Sequence, residues 1–304
     1  MIYRLFKKLI KLAIRFFCKE LTVVNQPVFK TKGPLLVVAN HPNSFLDAIL
    51  IGAQFSEKVH FLARGDAFNK KHHRFFLQML QMIPVYRLSE GKENLHLNEY
   101  AFKESRRILA SGGIVLIFIE GICINSHKLE PFKKGAARIA MSPELLQKLL
   151  ILPVAITYDS FNRMGKRVRI AGSALISAST LLPFAEPARN YAFFNRQLRT
   201  TLEAMILLPQ TTAPTASLWA KPIVLTGKIL HYPLYRLLSG FIRVKTRGTV
   251  FYDSVLFATL FVVYPLYLLL LAILLFLLQV HPAFIVGIIL LHLISARARV
   301  LFRD

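Results

Sequence analysis

Residues 1–20 place Ile2, Leu5, Phe6, Leu9, Ile10, Ala13, Phe16 and Phe17 at helical spacing on one face, with Arg4, Lys7, Lys8, Lys11, Arg15 and Lys19 largely on the other. Charges run through the whole segment, whereas a signal peptide needs an uninterrupted apolar core. The pattern therefore predicts an amphipathic helix lying in the interface of an anionic leaflet, with docking on a soluble domain as the alternative. The period then changes. Short continuous apolar runs at 35–39, 59–63, 114–118 and 150–156 predict buried strands, and 74–82, 95–109 and 136–141 have helical character. Alternation of the two predicts one α/β domain over residues 28–210, a mostly parallel sheet flanked by helices. Gly33-Pro34 and Gly112-Gly113 punctuate the starts of two of the strands.

Beyond that domain the pattern changes again. A polar stretch opens a basic connector over 211–250, carrying Lys221, Lys228, Arg236, Arg243, Lys245 and Arg247 with no acid before Asp253. Residues 251–297 predict a membrane hairpin, because 254–296 contain no Asp, Glu, Lys or Arg. At about 1.5 Å per residue, residues 255–278 are long enough to cross a hydrocarbon core of about 30 Å, with a kink at Pro265. Residues 279–282 read as a turn, and 283–296 are short for a span, so that part is re-entrant or thins its leaflet. Arg297, Arg299 and Arg303 close the chain. Basic residues at both ends of the hairpin put both ends, and the α/β domain, on the cytoplasmic side of a membrane. A hairpin dipping into one leaflet gives the same charge pattern.

Composition agrees with this placement. A hydrophobic fraction of 54% in 304 residues is too high for an ordinary soluble protein, and the net charge of +23 calls for an anionic partner. No nucleic-acid-binding motif is found, and the chain enters a membrane, so the partner expected is anionic lipid and not nucleic acid. Two cysteines and nine scattered histidines form no metal-binding spacing, so no metal or redox cofactor is expected.

Chemistry gathers where predicted strands end. The run 35–39 stops at Asn40-His41, and Asp47 follows within one short loop. A carboxylate that close can fix an imidazole's tautomer and stabilise its charged form, leaving the other ring nitrogen to take a proton. An ordinary loop hydrogen bond, or Asp47 as a helix N-cap, is the plainer alternative. The run 114–118 likewise ends in Ile119-Glu120-Gly121, and parallel sheets gather ligands at the carboxyl ends of their strands. Lys133 and Lys134 precede a predicted helix and Arg87 follows the apolar stretch 82–85, cations suited to a phosphate.

In order along residues 35–157, these blocks resemble the glycerolipid acyltransferases. Asn40-His41 through Asp47 resembles that family's His/Asp motif, and Arg64-Gly65 through Arg87 its acceptor-binding block. Phe118-Ile119-Glu120-Gly121 with Phe132-Lys133-Lys134-Gly135 resembles its Phe-Pro-Glu-Gly motif, and residues 151–154 its apolar-Pro block. Two departures stand out. Five residues separate His41 from Asp47, as in the glycerol-3-phosphate and dihydroxyacetone-phosphate acyltransferase subgroup, and Ile122-Cys123 replace the usual Thr-Arg.

The resemblance implies transfer of a fatty acyl group from an acyl carrier protein or coenzyme A thioester to a glycerol phosphate hydroxyl, in phospholipid biosynthesis. It makes His41 and Asp47 catalytic and Asn40, Arg64, Arg87, Glu120, Gly121, Lys133 and Lys134 substrate-binding. Alternatives are a lysophosphatidate acyltransferase, acylation of a lyso-lipid without phosphate, and a non-catalytic membrane tether. A tether has no need of four blocks at strand ends.

Overall fold

A computed structural model describes residues 2–65, 81–86, 97–209 and 220–302. The order is α1 (Ile2–Phe17), β1 (Cys18–Val24), a 3₁₀ turn (Gln26–Lys30), β2 (Leu35–Ala39), α2 (Phe45–Gln54), β3 (Val59–Arg64), β4 (Met82–Val85), α3 (Leu97–Ala110), β5 (Ile114–Phe118), α4 (Gly135–Ala140), β6 (Leu150–Tyr158), β7 (Lys166–Gly172), β8 (Ile176–Ser177), α5 (Ala178–Leu181), α6 (Pro187–Met205), α7 (Ala220–Lys245), α8 (Tyr252–Leu277) and α9 (Pro282–Leu301). Among the described residues eight strands form one sheet in the order β1-β7-β6-β2-β5-β3-β4, with β8 beside β6. Pairing is parallel except at β6–β7 and β6–β8. The expected α/β architecture with a mostly parallel sheet is the one observed.

Period-two alternation divides the central strands between two cores. Leu35, Val37 and Ala39 face α1, α2 and α8 through Phe17, Leu50 and Phe257. Leu36 and Val38 face the other side with Phe102, Ala137, Phe194 and Leu198, contributed by α3, α4 and α6. All five residues of β2 are buried, as a central parallel strand covered on both faces requires. Gly33 and Gly113 meet where β2 and β5 start: a Cβ on Gly33 would strike the Gly113 carbonyl, and Leu35 N–H donates to that same oxygen at 3.2 Å.

Several expected elements change at their edges. The amphipathic helix stops at Phe17, and Cys18 opens an edge strand parallel to β7. Neither β1 nor β7 was read from the sequence, because polar residues interrupt both (CKELTVV and KRVRIAG) and no apolar run marks them. The helix expected over 74–82 falls largely outside the described residues, and Met82 itself opens β4. The basic stretch read as a connector is for the most part a 26-residue helix, α7, with Pro233 inside it, packed against α9. The second arm of the hairpin is longer than its apolar run, since α9 continues through Arg297 and Arg299 to Leu301. Arg297 donates to the carbonyls of Arg15 and Cys18, at 2.9 Å in the second case, which ties the end of α9 to the junction of α1 and β1.

By length and composition α8 and α9 are long and apolar enough to cross a membrane. Their apolar faces are not absorbed by the rest of the molecule. Leu270, Leu277 and Phe284 are 66%, 71% and 70% exposed, unlike the core helices of a soluble domain.

Candidate active site

Residues 35–39 of β2 pair in parallel with 114–118 of β5, Ala39 lying opposite Phe118. His41 and Glu120 each lie two residues beyond that last pair, so both emerge at the same rim of the sheet. The backbone N–H of His41 donates to Glu120 Oε1 at 2.9 Å, joining the two strand ends. Glu120 Oε2 accepts from Glu130 N–H at 2.9 Å, so both oxygens of this buried carboxylate are committed to backbone. Burial pushes its pKa up, opposed by the N–H groups of Glu130 and His41.

The His41 side chain turns the other way. Its Nδ1 lies 2.9 Å from Asp47 Oδ2, one ring face stacks on Phe118 at 3.8 Å and 12°, and 14% of the side chain is exposed. Among the described residues nothing hydrogen-bonds to Nε2. Asp47 is fully buried in the first turn of α2 and is not its N-cap; that position is Ser44, at φ 54°. Three donors converge on the Asp47 carboxylate: His41 Nδ1 and Asn43 N–H (2.7 Å) on Oδ2, and the Tyr158 hydroxyl (2.6 Å) on Oδ1. Such a carboxylate is an acceptor on every side, which fixes the proton of the imidazole on Nδ1 and leaves the Nε2 lone pair facing outward. Burial, with Asp47 adjacent, holds the Tyr158 hydroxyl well above the ordinary tyrosine pKa, so it stays a donor.

The loop between His41 and Asp47 is held from several directions. Ser44 N–H donates to Cys123 Sγ at 2.9 Å, and Asn125 Nδ2 donates to the Pro42 carbonyl at 2.8 Å. A positive φ at a non-glycine residue such as Ser44 persists only where its surroundings over-determine it, and here they do. Asn40 uses both ends of its amide on Ile156 of β6 (3.0 and 2.8 Å), extending the β2–β6 pairing by one residue.

The remaining expected residues are placed as follows. Gly121 adopts φ +63°, and a Cβ there would come 2.9 Å from Lys133 Cγ, so glycine lets Lys133 lie against the Glu120 turn. Lys133 and Lys134 are exposed at the start of α4, and Lys134 Nζ lies 5.6 Å from the Tyr191 ring centroid. Arg199 of α6 donates to the Glu130 carbonyl at 2.6 Å and covers the Phe132 ring, bracing this loop from outside. Arg64 ends β3, but its side chain and the whole of Arg87 lie outside the described residues.

Sequence reasoning passed over Tyr158, Asn43, Lys166, Asp253 and Ser254, all buried at or behind the His/Asp loop. One signal was available: Asp253 is the first acid after a basic stretch and abuts a long uncharged run, where an unpaired charge would be costly.

Comparison with known proteins bears on this geometry. Comparison with curated proteins gives no match. The crystal structure of the 1-acyl-sn-glycerophosphate (LPA) acyltransferase, PlsC, from Thermotoga maritima is similar at 18% identity, covering 66% of this chain and 78% of that one, with a TM-score of 0.47. A protein-family model described as Acyltransferase matches residues 20–157. The matched stretch carries His41, Asp47, Glu120 and Lys133.

Proposed function

We propose that the protein is a membrane-seated O-acyltransferase that moves a fatty acyl group from an acyl carrier protein or coenzyme A thioester to a glycerol phosphate hydroxyl. The observation that carries this reading is the His41–Asp47 pair at a strand end, its Nδ1 engaged and its Nε2 facing outward, inside the stretch that the Acyltransferase model matches. His41 Nε2 takes the proton of the acceptor hydroxyl as its oxygen attacks the thioester carbonyl carbon. The imidazolium formed is stabilised by Asp47. When the tetrahedral intermediate collapses, the C–S bond breaks and His41 returns the proton to the leaving thiolate. Each proton is accounted for, and no acyl-enzyme is required.

Glu120 fixes the backbone of His41, while Lys133 and Lys134, together with Arg64 and Arg87, supply the cations for the acceptor phosphate. Glycerol-3-phosphate or dihydroxyacetone phosphate is the acceptor favoured by the five-residue spacing between His41 and Asp47. Lysophosphatidate is the alternative acceptor for the same His/Asp machinery. The exposed apolar faces of α8 and α9 seat in the membrane with the α/β domain on its cytoplasmic side. The basic face of α1 meets anionic lipid, and the acyl chain travels a short path from leaflet to site.

The test is thioester consumption by the purified full chain in detergent, offered glycerol-3-phosphate, dihydroxyacetone phosphate and lysophosphatidate separately. Turnover should be abolished in His41→Ala and strongly reduced in Lys133→Ala. A preference for lysophosphatidate would replace the favoured acceptor. Turnover that survives in His41→Ala would remove His41 as the base.

A further inference from the structure

We propose that Asp253 and Ser254, in the first turn of α8, are positioning residues for the reacting imidazole, so that the foot of the first long apolar helix sets the geometry of His41. The proposal rests on the reading of His41 as the base. Both residues lie outside the stretch that the Acyltransferase model matches and more than 200 positions from the loop they touch.

The Ser254 hydroxyl spans the loop. It donates to the Asn43 carbonyl at 3.1 Å and accepts from Leu46 N–H at 3.1 Å, closing the two sides of the turn that carries Asp47. Asp253 Oδ2 accepts from Asn43 Nδ2 at 2.9 Å and from Asn162 N–H at 3.2 Å, and pairs with Lys166 Nζ. Asn43 in turn donates its N–H to Asp47 Oδ2, the oxygen that faces His41 Nδ1. A continuous path therefore runs from Asp253 through Asn43 and Asp47 to the imidazole. Asn43, Asp253, Ser254 and Lys166 are each at most 1% exposed, so water cannot replace any link.

Stability gives a poor account of this arrangement. A buried ion pair seldom outperforms a well-packed apolar pair of the same volume. Here Asp253 Oδ1 is also buried without a partner among the described residues, a further cost. Lys166 lies 5.6 Å from the Tyr158 ring centroid, and Tyr158 is the donor to Asp47 Oδ1. The pair thus backs the Asp47 carboxylate from two sides, and charge balance lets Asp253 stay buried where the loop needs an acceptor.

The experiment uses the purified full chain in detergent, with steady-state kinetics, thermal melting and the ¹⁵N resonances of the His41 ring. Ser254→Ala should lower kcat about tenfold and leave KM for either substrate within about twofold. Asp253→Ala should lower kcat about a hundredfold. The double variant Asp253→Asn with Lys166→Met keeps an oxygen for Asn43 and removes both charges, so it should recover most of that loss. The His41 ring resonances should move in both single variants and return in the double one. Should Asp253→Ala fail to fold, Ser254→Ala, which removes one hydroxyl, carries the same test. Melting temperatures that fall while kcat per folded molecule and the His41 resonances stay unchanged would overturn the proposal. If the wild type turns over none of the acceptors and the ring resonances still move, the positioning stands and the assigned reaction does not.

Discussion

Adjacent parallel strands β2 and β5 run in register, are both apolar, and end in polar residues at the same rim, yet their ends do different work. At the end of β2, His41 keeps one ring nitrogen uncommitted and part of its surface open. At the end of β5, Glu120 is buried and spends both oxygens on backbone N–H groups, one of them His41's own. What separates the two is the supply of hydrogen-bond partners: the imidazole is engaged through one nitrogen only, and the carboxylate through both oxygens. A titratable group at a strand end is free to react only when its neighbours leave one atom unsatisfied.

Four substitutions break or sharpen that contrast. The largest effect is expected at Asp47→Asn, whose amide cannot accept from three donors and favours the wrong imidazole tautomer. By analogy with buried carboxylates in Ser-His-Asp triads, kcat should fall about 10³–10⁴-fold with KM little changed, as read from initial rates. Glu120→Ala should act mainly on the fold. It orphans the N–H groups of His41 and Glu130, so the denaturant midpoint should report a loss of about 2–4 kcal/mol. If Glu120→Ala instead lowered kcat as far as Asp47→Asn without loss of stability, Glu120 would be a reacting group and the contrast would collapse.

Tyr158→Phe removes one of the three donors to Asp47 without changing shape, and should lower kcat about tenfold. The smallest effect is a pH slope. The folded protein holds the Glu120 proton more tightly than the unfolded chain does, because burial raises its pKa. That contribution is full below the unfolded value near 4.5 and declines as pH rises through the raised folded value. The stability advantage of wild type over Glu120→Gln should therefore shrink as pH is raised above 4.5, measured by denaturant melts at fixed ionic strength.

Legibility along the chain followed local signal. β2 and β5 were readable to the residue, because a strand covered on both faces must be apolar throughout, and the polar residues that end it are conspicuous. His41, Asp47 and Glu120 were legible for the same reason. β7 was not, although it is as buried as β6: its Lys166 is neutralised by Asp253, a partner 87 residues away, and a buried lysine reads as a surface one. The site showed the same limit. The Tyr158 that holds Asp47 ends a strand that sequence placed correctly but cut short at 156, and nothing in an apolar run marks one hydroxyl as a donor to a buried carboxylate.

By itself the sequence determined the alternation of buried strands and amphipathic helices, the apolar hairpin, and a His/Asp pair delivered at a strand end. These depend on period, composition and short spacing, which are local properties. Tertiary structure alone decided that Ala39 lies opposite Phe118, that Glu120 grips the backbone of His41, and that Asp253 and Ser254 reach the loop from the foot of α8. Register and burial depend on contacts between segments 79 to 211 residues apart, and a buried polar group declares its partner only when both are in place.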